Sequence, residues 1–265
     1  MSNALITGCA TGFGHLLTQR LLAAGWTVYA TDVEPEGLVA SLGGPHPRLH
    51  VYGLDVRRAQ DIAAVVAALG AEPIDLLVNN AGYAVFGNME DVPVDAIRDM
   101  FEVNVFGLGA VTRAFLPAVR AAKGTVVNLS SVAGLMVFPE SGWYAATKHA
   151  VEAMSSALYQ EASVLGVRVR VIEPGSFDTQ FGARADAASP PRPTHGPYAE
   201  QHAAWDAAKT AALEPPQAPS LVVDAILASL NAPEAYLRVP VGLDCARILA
   251  HYPAAVPDAW RAAKR

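Results

Sequence analysis

Tyr144 and Lys148 stand four residues apart in the stretch YAATK, within an alanine-rich and otherwise apolar part of the chain. At that spacing two side chains are neighbours on one helix face. A free phenol titrates near pH ~10 and is a poor base at neutral pH, but a cation one helical turn away favours its ionised form. Such a pair could pass a proton to or from a bound oxygen. The same spacing also describes ordinary solvated side chains lying along an apolar surface, so the rest of the chain has to decide.

Other residues could take part. The turn TGCATGFG, residues 7–14, holds Gly8, Gly12 and Gly14, with Thr11 and Phe13 between and beside them. Glycines there let the backbone approach a pyrophosphate, and a helix opening at that point adds free N–H groups and a positive dipole end. The spacing G-x-x-x-G-x-G differs from the commoner G-x-G-x-x-G. Asp32, twenty residues after Gly12, is placed to bind ribose hydroxyls and to repel a 2′-phosphate; a turn or cap residue is the plain alternative. Val33 follows it and no Arg or Lys lies nearby in the sequence, which favours NAD over NADP. NNAG, residues 79–82, is either a cofactor-lining turn or an ordinary Asn-Gly turn. Asp55 and Val56 could flank an adenine, and a helix N-cap accounts for Asp55 equally well. Asn104 sits in a long apolar helix, where Asn is unfavourable unless its amide is engaged; a satisfied structural Asn is the alternative. Ser131, or its neighbour Ser130, falls just past a strand, where either could cap a helix or face a ligand.

These residues need a frame. Short apolar runs at 3–7, 27–32, 49–55, 74–80, 124–130, 167–175 and 235–241 alternate with helical stretches, among them one over 94–122 and one over 142–165. That alternation predicts an α/β fold with one doubly wound domain over 1–265, a parallel sheet of about seven strands covered by helices on both faces. Residues 182–219 break the rhythm with SPPRPTHGP and EPPQAP, and are expected to form a substrate lid whose prolines discourage regular structure. Trp205 and Leu213 would ride on it. The 265 residues, 52% hydrophobic and 17% charged, suffice for a large core. With 19 basic and 25 acidic residues and a net charge of −6, the chain has no footprint for nucleic acid or an anionic membrane. No uninterrupted apolar segment reaches spanning length, and the start lacks a signal-peptide pattern. Cys9 and Cys245 make neither a disulfide framework nor a metal site. A soluble cytoplasmic protein without a metal is the expectation.

Taken in order, T-G-x-x-x-G-x-G, N-N-A-G, the VNVFG around Asn104, NLSSVAG, Y-x-x-x-K and PGSFDT (residues 174–179) resemble the short-chain dehydrogenase/reductase family over about residues 3–180. SVAGL…P…WYAATKHAVE is similar to the branch with hydroxysteroid and retinol dehydrogenases. The resemblance implies a Rossmann domain that transfers hydride between NAD and a secondary alcohol or ketone, NADP being the lesser option. It makes Tyr144 the acid/base, Ser131 the substrate-orienting hydroxyl, Lys148 the partner of Tyr144 and the nicotinamide ribose, and Asn104 the holder of a relay water. It implies cofactor contacts at Gly8, Thr11, Gly12, Phe13, Gly14, Asp32, Asp55, Val56, Asn79, Ala81, Gly82, Tyr144, Lys148, Pro174, Gly175, Phe177 and Thr179. Substrate would meet Ser131, Val137, Trp143 and Tyr144. A homodimer or homotetramer is implied, acting on a small apolar or aromatic molecule. Phe13 replaces the usual aliphatic residue, and Thr147 stands where Ser is common. NADPH-dependent carbonyl reduction and an inactive cofactor-binding regulator are the competing readings.

Overall fold

The computed structural model describes residues 2–192, 196–204, 217–243 and 245–246. Seven parallel strands form one sheet: β1 (Asn3–Thr7), β2 (Thr27–Asp32), β3 (Leu49–Gly53), β4 (Leu76–Asn79), β5 (Thr125–Leu129), β6 (Arg168–Pro174) and β7 (Tyr236–Val241). Their order is β3-β2-β1-β4-β5-β6-β7. The order reverses direction between β1 and β4, and the crevice outside the carboxyl ends of the strands at such a switch point is where this architecture binds ligands. β3 stops at Gly53 rather than reaching Asp55, because its ladder partner β2 ends at Asp32, paired with Gly53.

The central strands β1, β4 and β5 are buried along their length because both faces are covered. Along β1, Ala4 and Ile6 face one core and Leu5 the other, as the two-residue strand period requires. The first core receives Leu17 and Leu21 of helix α1 (Gly12–Ala23) and the apolar stripe of a late helix, Ser220–Leu230. The sequence reading did not anticipate that late helix, although Val222, Val223 and Ile226 recur at helical spacing after Pro219. Between these lies a single turn, α2 (Leu38–Ser41). The second core is closed by α3 (Ala59–Leu69) and by Val111, Phe115 and Val119 of α5 (Leu108–Ala122). The expected helix over 94–122 is present as α4 (Val94–Phe101), a π-helical turn (Glu102–Gly107) and α5. By length and composition it could cross a membrane, but its apolar stripe lies against the sheet. Gly107 makes the π turn possible: a Cβ there would lie 2.6 Å from Val56 Cγ2 and 2.9 Å from the Glu102 carbonyl oxygen.

Helix α6 (Gly142–Ala162) follows β5 and packs beside α4 and the π turn. The chain enters the proline-rich segment through α7 (Gln180–Ala188), and residues 199–204, in an alanine-containing stretch of helix-favouring composition, are also helical. Pro190, Pro191 and Pro197 lie outside both helical stretches, so helix-favouring composition prevails locally. Trp205 and Leu213 lie outside the described residues. The late helix Ser220–Leu230 is α8.

Candidate active site

The glycine turn sits at the switch point. Gly8 and Gly12 have φ of +73° and +62°, a region open to glycine at little cost. A Cβ on Gly12 would meet nothing nearer than Thr179 at 3.8 Å, which leaves an open cradle over the start of α1. Gly14 has a different reason: its Cβ would come within 2.3 Å of the Gly8 carbonyl oxygen. Thr11 occupies the N-cap without a side-chain cap bond, so the first N–H groups of α1 are available to a phosphate. Phe13 packs edge-on against Phe177, centroids 5.7 Å apart. Thr179 caps α7 by accepting from the Phe181 N–H.

The two asparagines of NNAG part company. Asn79, expected at the cofactor, is buried and donates to Thr112 Oγ1 and Asn128 Oδ1, both at 2.8 Å. Strand alternation turns its side chain into the interior. Asn80 performs the task at the turn, donating to the carbonyl oxygens of Thr7 (2.9 Å) and Gly8 (2.8 Å). Thr7 Oγ1 answers by accepting from the N–H groups of Asn80 and Ala81. Asn80 and Thr7 were missed in the sequence; the only signal was their adjacency to the glycines.

Asp32 holds the turn from the other side. Its Oδ2 accepts from the Ala10 N–H at 2.8 Å and its Oδ1 from the Glu34 N–H at 3.3 Å. Val33 beside it is 60% exposed. Among the described residues no cation pairs with Asp32. The nearby Arg57 is engaged by Asp55 (2.7 Å) and Asp99, and the guanidinium holds the Asp55 carboxyl below its usual range. Asp99 also accepts from the Tyr83 hydroxyl at 2.8 Å; burial, then that carboxylate, push the Tyr83 phenol up. Asp55 does not cap α3, whose N-cap is Arg58. Val56 is buried under Gly107.

The π turn presents Asn104, 1% exposed, to the loop after β4. Its amide accepts from the Tyr83 N–H (3.1 Å) and donates to the Tyr83 carbonyl (2.8 Å) and Thr147 Oγ1 (3.1 Å). The structural reading left open by the sequence is thus realised: Asn104 clamps this loop to α6. A second lone pair remains on Oδ1, on the side where a Gly82 Cβ would lie 3.0 Å from it and 3.8 Å from Lys148 Nζ.

Tyr144 and Lys148 are not surface decoration, being 7% and 6% exposed. With Thr147, Val151, Glu152 and Ser155 they form the buried face of α6. Lys148 Nζ donates to the Leu129 carbonyl at 2.8 Å and lies 5.7 Å from the Tyr144 ring centroid. Burial pushes the Tyr144 phenol up to about 12, with the Ser131 hydroxyl pulling the other way. Burial lowers Lys148 to about 8, against the opposing charge of Glu152. Ser131 accepts from the Ala133 N–H (3.1 Å) and donates to the Pro174 carbonyl (3.4 Å). Ser130 instead faces Gly134 and Glu152, so the serine turned toward Tyr144 is Ser131. Gly175 N–H is tied to Val241 O at 2.9 Å.

Phe86 and Phe181 contact the Tyr144 ring at centroid distances of 5.8 and 5.9 Å, an apolar wall that the sequence did not reveal. Trp143 packs in the same cluster and donates to the Met89 carbonyl at 3.2 Å; Val137 is 60% exposed.

Comparison with known proteins agrees with this geometry. Residues 2–189 match the family model for short chain dehydrogenase. The chain belongs to the short-chain dehydrogenases. An uncharacterized oxidoreductase of Bacillus subtilis is 42% identical over 67% of this chain and 66% of its own length. Bovine mitochondrial D-beta-hydroxybutyrate dehydrogenase is 39% identical over 65% and 53%, and the NADPH-dependent 3-dehydrocapnine reductase of Ornithobacterium rhinotracheale is 32% identical over 72% and 71%. The chain thus spans between about half and two-thirds of the length of the first two. A solved short-chain dehydrogenase from Streptomyces avermitilis, 32% identical, superposes with a TM-score of 0.85 over 96% of this chain and 92% of its own. The matched family region takes in all of α7 and ends at residue 189.

Proposed function

We propose that the protein is an NAD-dependent oxidoreductase that interconverts a secondary alcohol and its ketone, with an apolar or aromatic substrate. The observation that carries this reading is the buried Tyr144–Lys148 pair on α6, with Ser131 on the opposite wall. The open Gly12 cradle, the uncapped start of α1 and Asp32 fit a dinucleotide. Gly8, Gly12 and the N–H groups of α1 would hold its pyrophosphate, Asp32 its adenosine ribose, and Lys148 the second ribose. When bound, the oxidised nicotinamide supplies the hydride-accepting carbon and a positive charge beside the phenol.

In alcohol oxidation Ser131 orients the substrate oxygen and stabilises charge developing on it. Tyr144 accepts the alcohol proton, and Lys148 stabilises the phenolate before that transfer. With burial holding the phenol at about 12, the Lys148 ammonium and the cofactor's cation together have to favour the ionised form. In ketone reduction Tyr144 returns the proton to the same oxygen. Phe86 and Phe181 exclude water and favour an apolar carbon frame next to the reacting centre. A lid over 182–219 is supported by α7, whose Phe181, just before that segment, packs against the Tyr144 ring.

The preference for NAD rests on Asp32, which has no cationic partner among the described residues and would meet a 2′-phosphate as a like charge. NADPH-dependent carbonyl reduction is the second reading, favoured by the reductase of Ornithobacterium. Absorbance at the nicotinamide band with NAD and NADP against a panel of secondary alcohols and ketones separates them. No turnover with any pairing would reject both.

A further inference from the structure

Behind the Tyr144–Lys148 face lies a second group of buried ionisable side chains. Glu152 comes one helical turn after Lys148 on α6 and is 5% exposed; Glu173, near the end of β6, is 0% exposed. Arg238 reaches them from β7, its Nε 3.1 Å from Glu152 Oε2 and 3.8 Å from Glu173 Oε1. Its Nε also lies 3.2 Å from the Tyr236 hydroxyl, and Tyr236 stacks on Tyr159 of α6 at 5.0 Å. Gly134 lets Ser130 close the site: a Cβ there would be 2.5 Å from Ser130 Oγ and 3.1 Å from Glu152 Cγ. His149 approaches Glu152 from the same helix.

Two buried carboxyl groups beside one guanidinium cannot both stay ionised cheaply. Burial first, then the charge of Glu152, push Glu173 up to about 9. Glu152 is also raised by burial, but Ser130, Arg238, His149 and Lys148 all oppose the rise. Arg238 lies nearer Glu152 than Glu173 and so favours the charged form on Glu152 over that on Glu173. Lys148 otherwise faces the Leu129 carbonyl, the Tyr144 ring and the Gly82–Asn104 contact, and Glu152 is the carboxylate that opposes its desolvation.

We propose that Glu152 is a positioning residue for the proton transfer: fixed by Arg238 from β7, its carboxylate sets the charge opposite the Lys148 ammonium one helical turn away on the buried face of α6. The inference rests on the assignment of Lys148 to that chemistry. A cluster that merely fastened β7 to α6 would place Arg238 here equally well, but would leave the titration of Lys148 untouched.

The experiment is an NMR titration of lysine side chains in the full-length, cofactor-free protein, with the Lys148 signal assigned by its loss in Lys148→Met. In Glu152→Gln the Lys148 midpoint falls by about one pH unit, the size of a nearby opposite charge. In Glu173→Gln it stays at the unmodified value, because Glu152 is the carboxylate that opposes the desolvation of Lys148. An unmoved midpoint in folded Glu152→Gln, or an equal fall in Glu173→Gln, overturns the proposal. Should Glu152→Gln fail to fold, Glu152→Asp serves: a partial fall supports the proposal and an unmoved midpoint overturns it. The titration reads Lys148 without turnover, so absence of alcohol oxidation would remove the proposed function and leave this result standing on its own.

Discussion

Lys148 Nζ stands 5.7 Å from the centroid of the Tyr144 ring while donating to the Leu129 carbonyl, so the ammonium is anchored to strand β5 and not to the phenol. The pair thus carries a fixed charge beside a phenol that can still exchange its proton. Replacing Tyr144 with Phe keeps the ring contacts to Phe86 and Phe181 and removes the oxygen. Turnover is expected to fall at least about 10²-fold, the scale of one positioned acid/base, with NAD affinity retained by calorimetry. The dependence on pH has a defined sign. Lys148 is lowered to about 8, so the ammonium is lost as pH rises through that value, and kcat/KM for oxidation should decline above it. Wild-type turnover in the Phe variant would remove Tyr144 from the chemistry.

Asp32 links two tasks, since the oxygen that fixes the Ala10 N–H belongs to the carboxylate that would meet the adenosine ribose. The double change Asp32→Ala with Val33→Arg should move the kcat/KM ratio toward NADP, with some loss of overall affinity because the turn is loosened. Equal kcat/KM for the two cofactors in the unmodified protein would contradict the role of Asp32.

Asn79 and Asn80 should fail in different ways. Asn80→Ala frees the carbonyl groups of Thr7 and Gly8 and should weaken NAD binding about tenfold, with little change in melting temperature. Asn79→Ala deprives Thr112 Oγ1 and Asn128 Oδ1 of the amide they accept from, which costs about 1–3 kcal/mol, and should lower the melting temperature with little change in NAD affinity. Paired melting and binding measurements check this, and the reverse pattern would return Asn79 to the cofactor.

That contrast shows where the sequence was readable. Strands β1 and β2 were legible because runs buried on both faces are apolar without alternation, and the glycine turn and Y-x-x-x-K because they occur in order with the other motifs, neither spacing being decisive alone. The side-chain partners of Asn79, Thr112 and Asn128, were not legible, because strand phase at the end of β4 sets its direction, and phase is a property of the ladder. Phe86 and Phe181 were invisible because they meet Tyr144 across long sequence separations. The π turn that aims Asn104 leaves no periodic trace; only Gly107 hints at it, through an approach to Val56 that exists in three dimensions alone.

Assembly follows from the exterior of the same long helix. Phe106 in the π turn is 61% exposed, an unusual cost for a large aromatic side chain in water. A homodimer or homotetramer that covers it is the expected state by light scattering, and Phe106→Glu should give a smaller particle. A monomer at micromolar concentration in the unmodified protein would be the contrary result.

The lid is argued from Glu140. Its backbone has φ of +63°, a strained value for a residue with a side chain, and its carboxylate is buried at the threshold of α6. Arg192 pairs with it from beyond α7, and His202 Nε2 lies 3.4 Å from its Oε1. His202 is held in turn by Asn88 at 3.0 Å, and the Gly87 N–H donates to the Glu140 carbonyl at 2.8 Å. One carboxylate thus ties the described stretches on either side of residues 193–195 to the loop that precedes Tyr144. Glu140→Gln keeps size and backbone strain but removes the charge. In hydrogen exchange the amides of 180–192 and 196–204 should open faster, while β1 and β5 exchange as before. KM for substrate should rise more than kcat falls, because closure orders the substrate side and leaves the Tyr144–Lys148 pair in place. Unchanged exchange in both segments, with the variant folded, would reject Glu140 as the fastening and leave α7 held by its own contacts to Phe86 through Ser189, whose hydroxyl accepts from the Phe86 N–H at 2.8 Å.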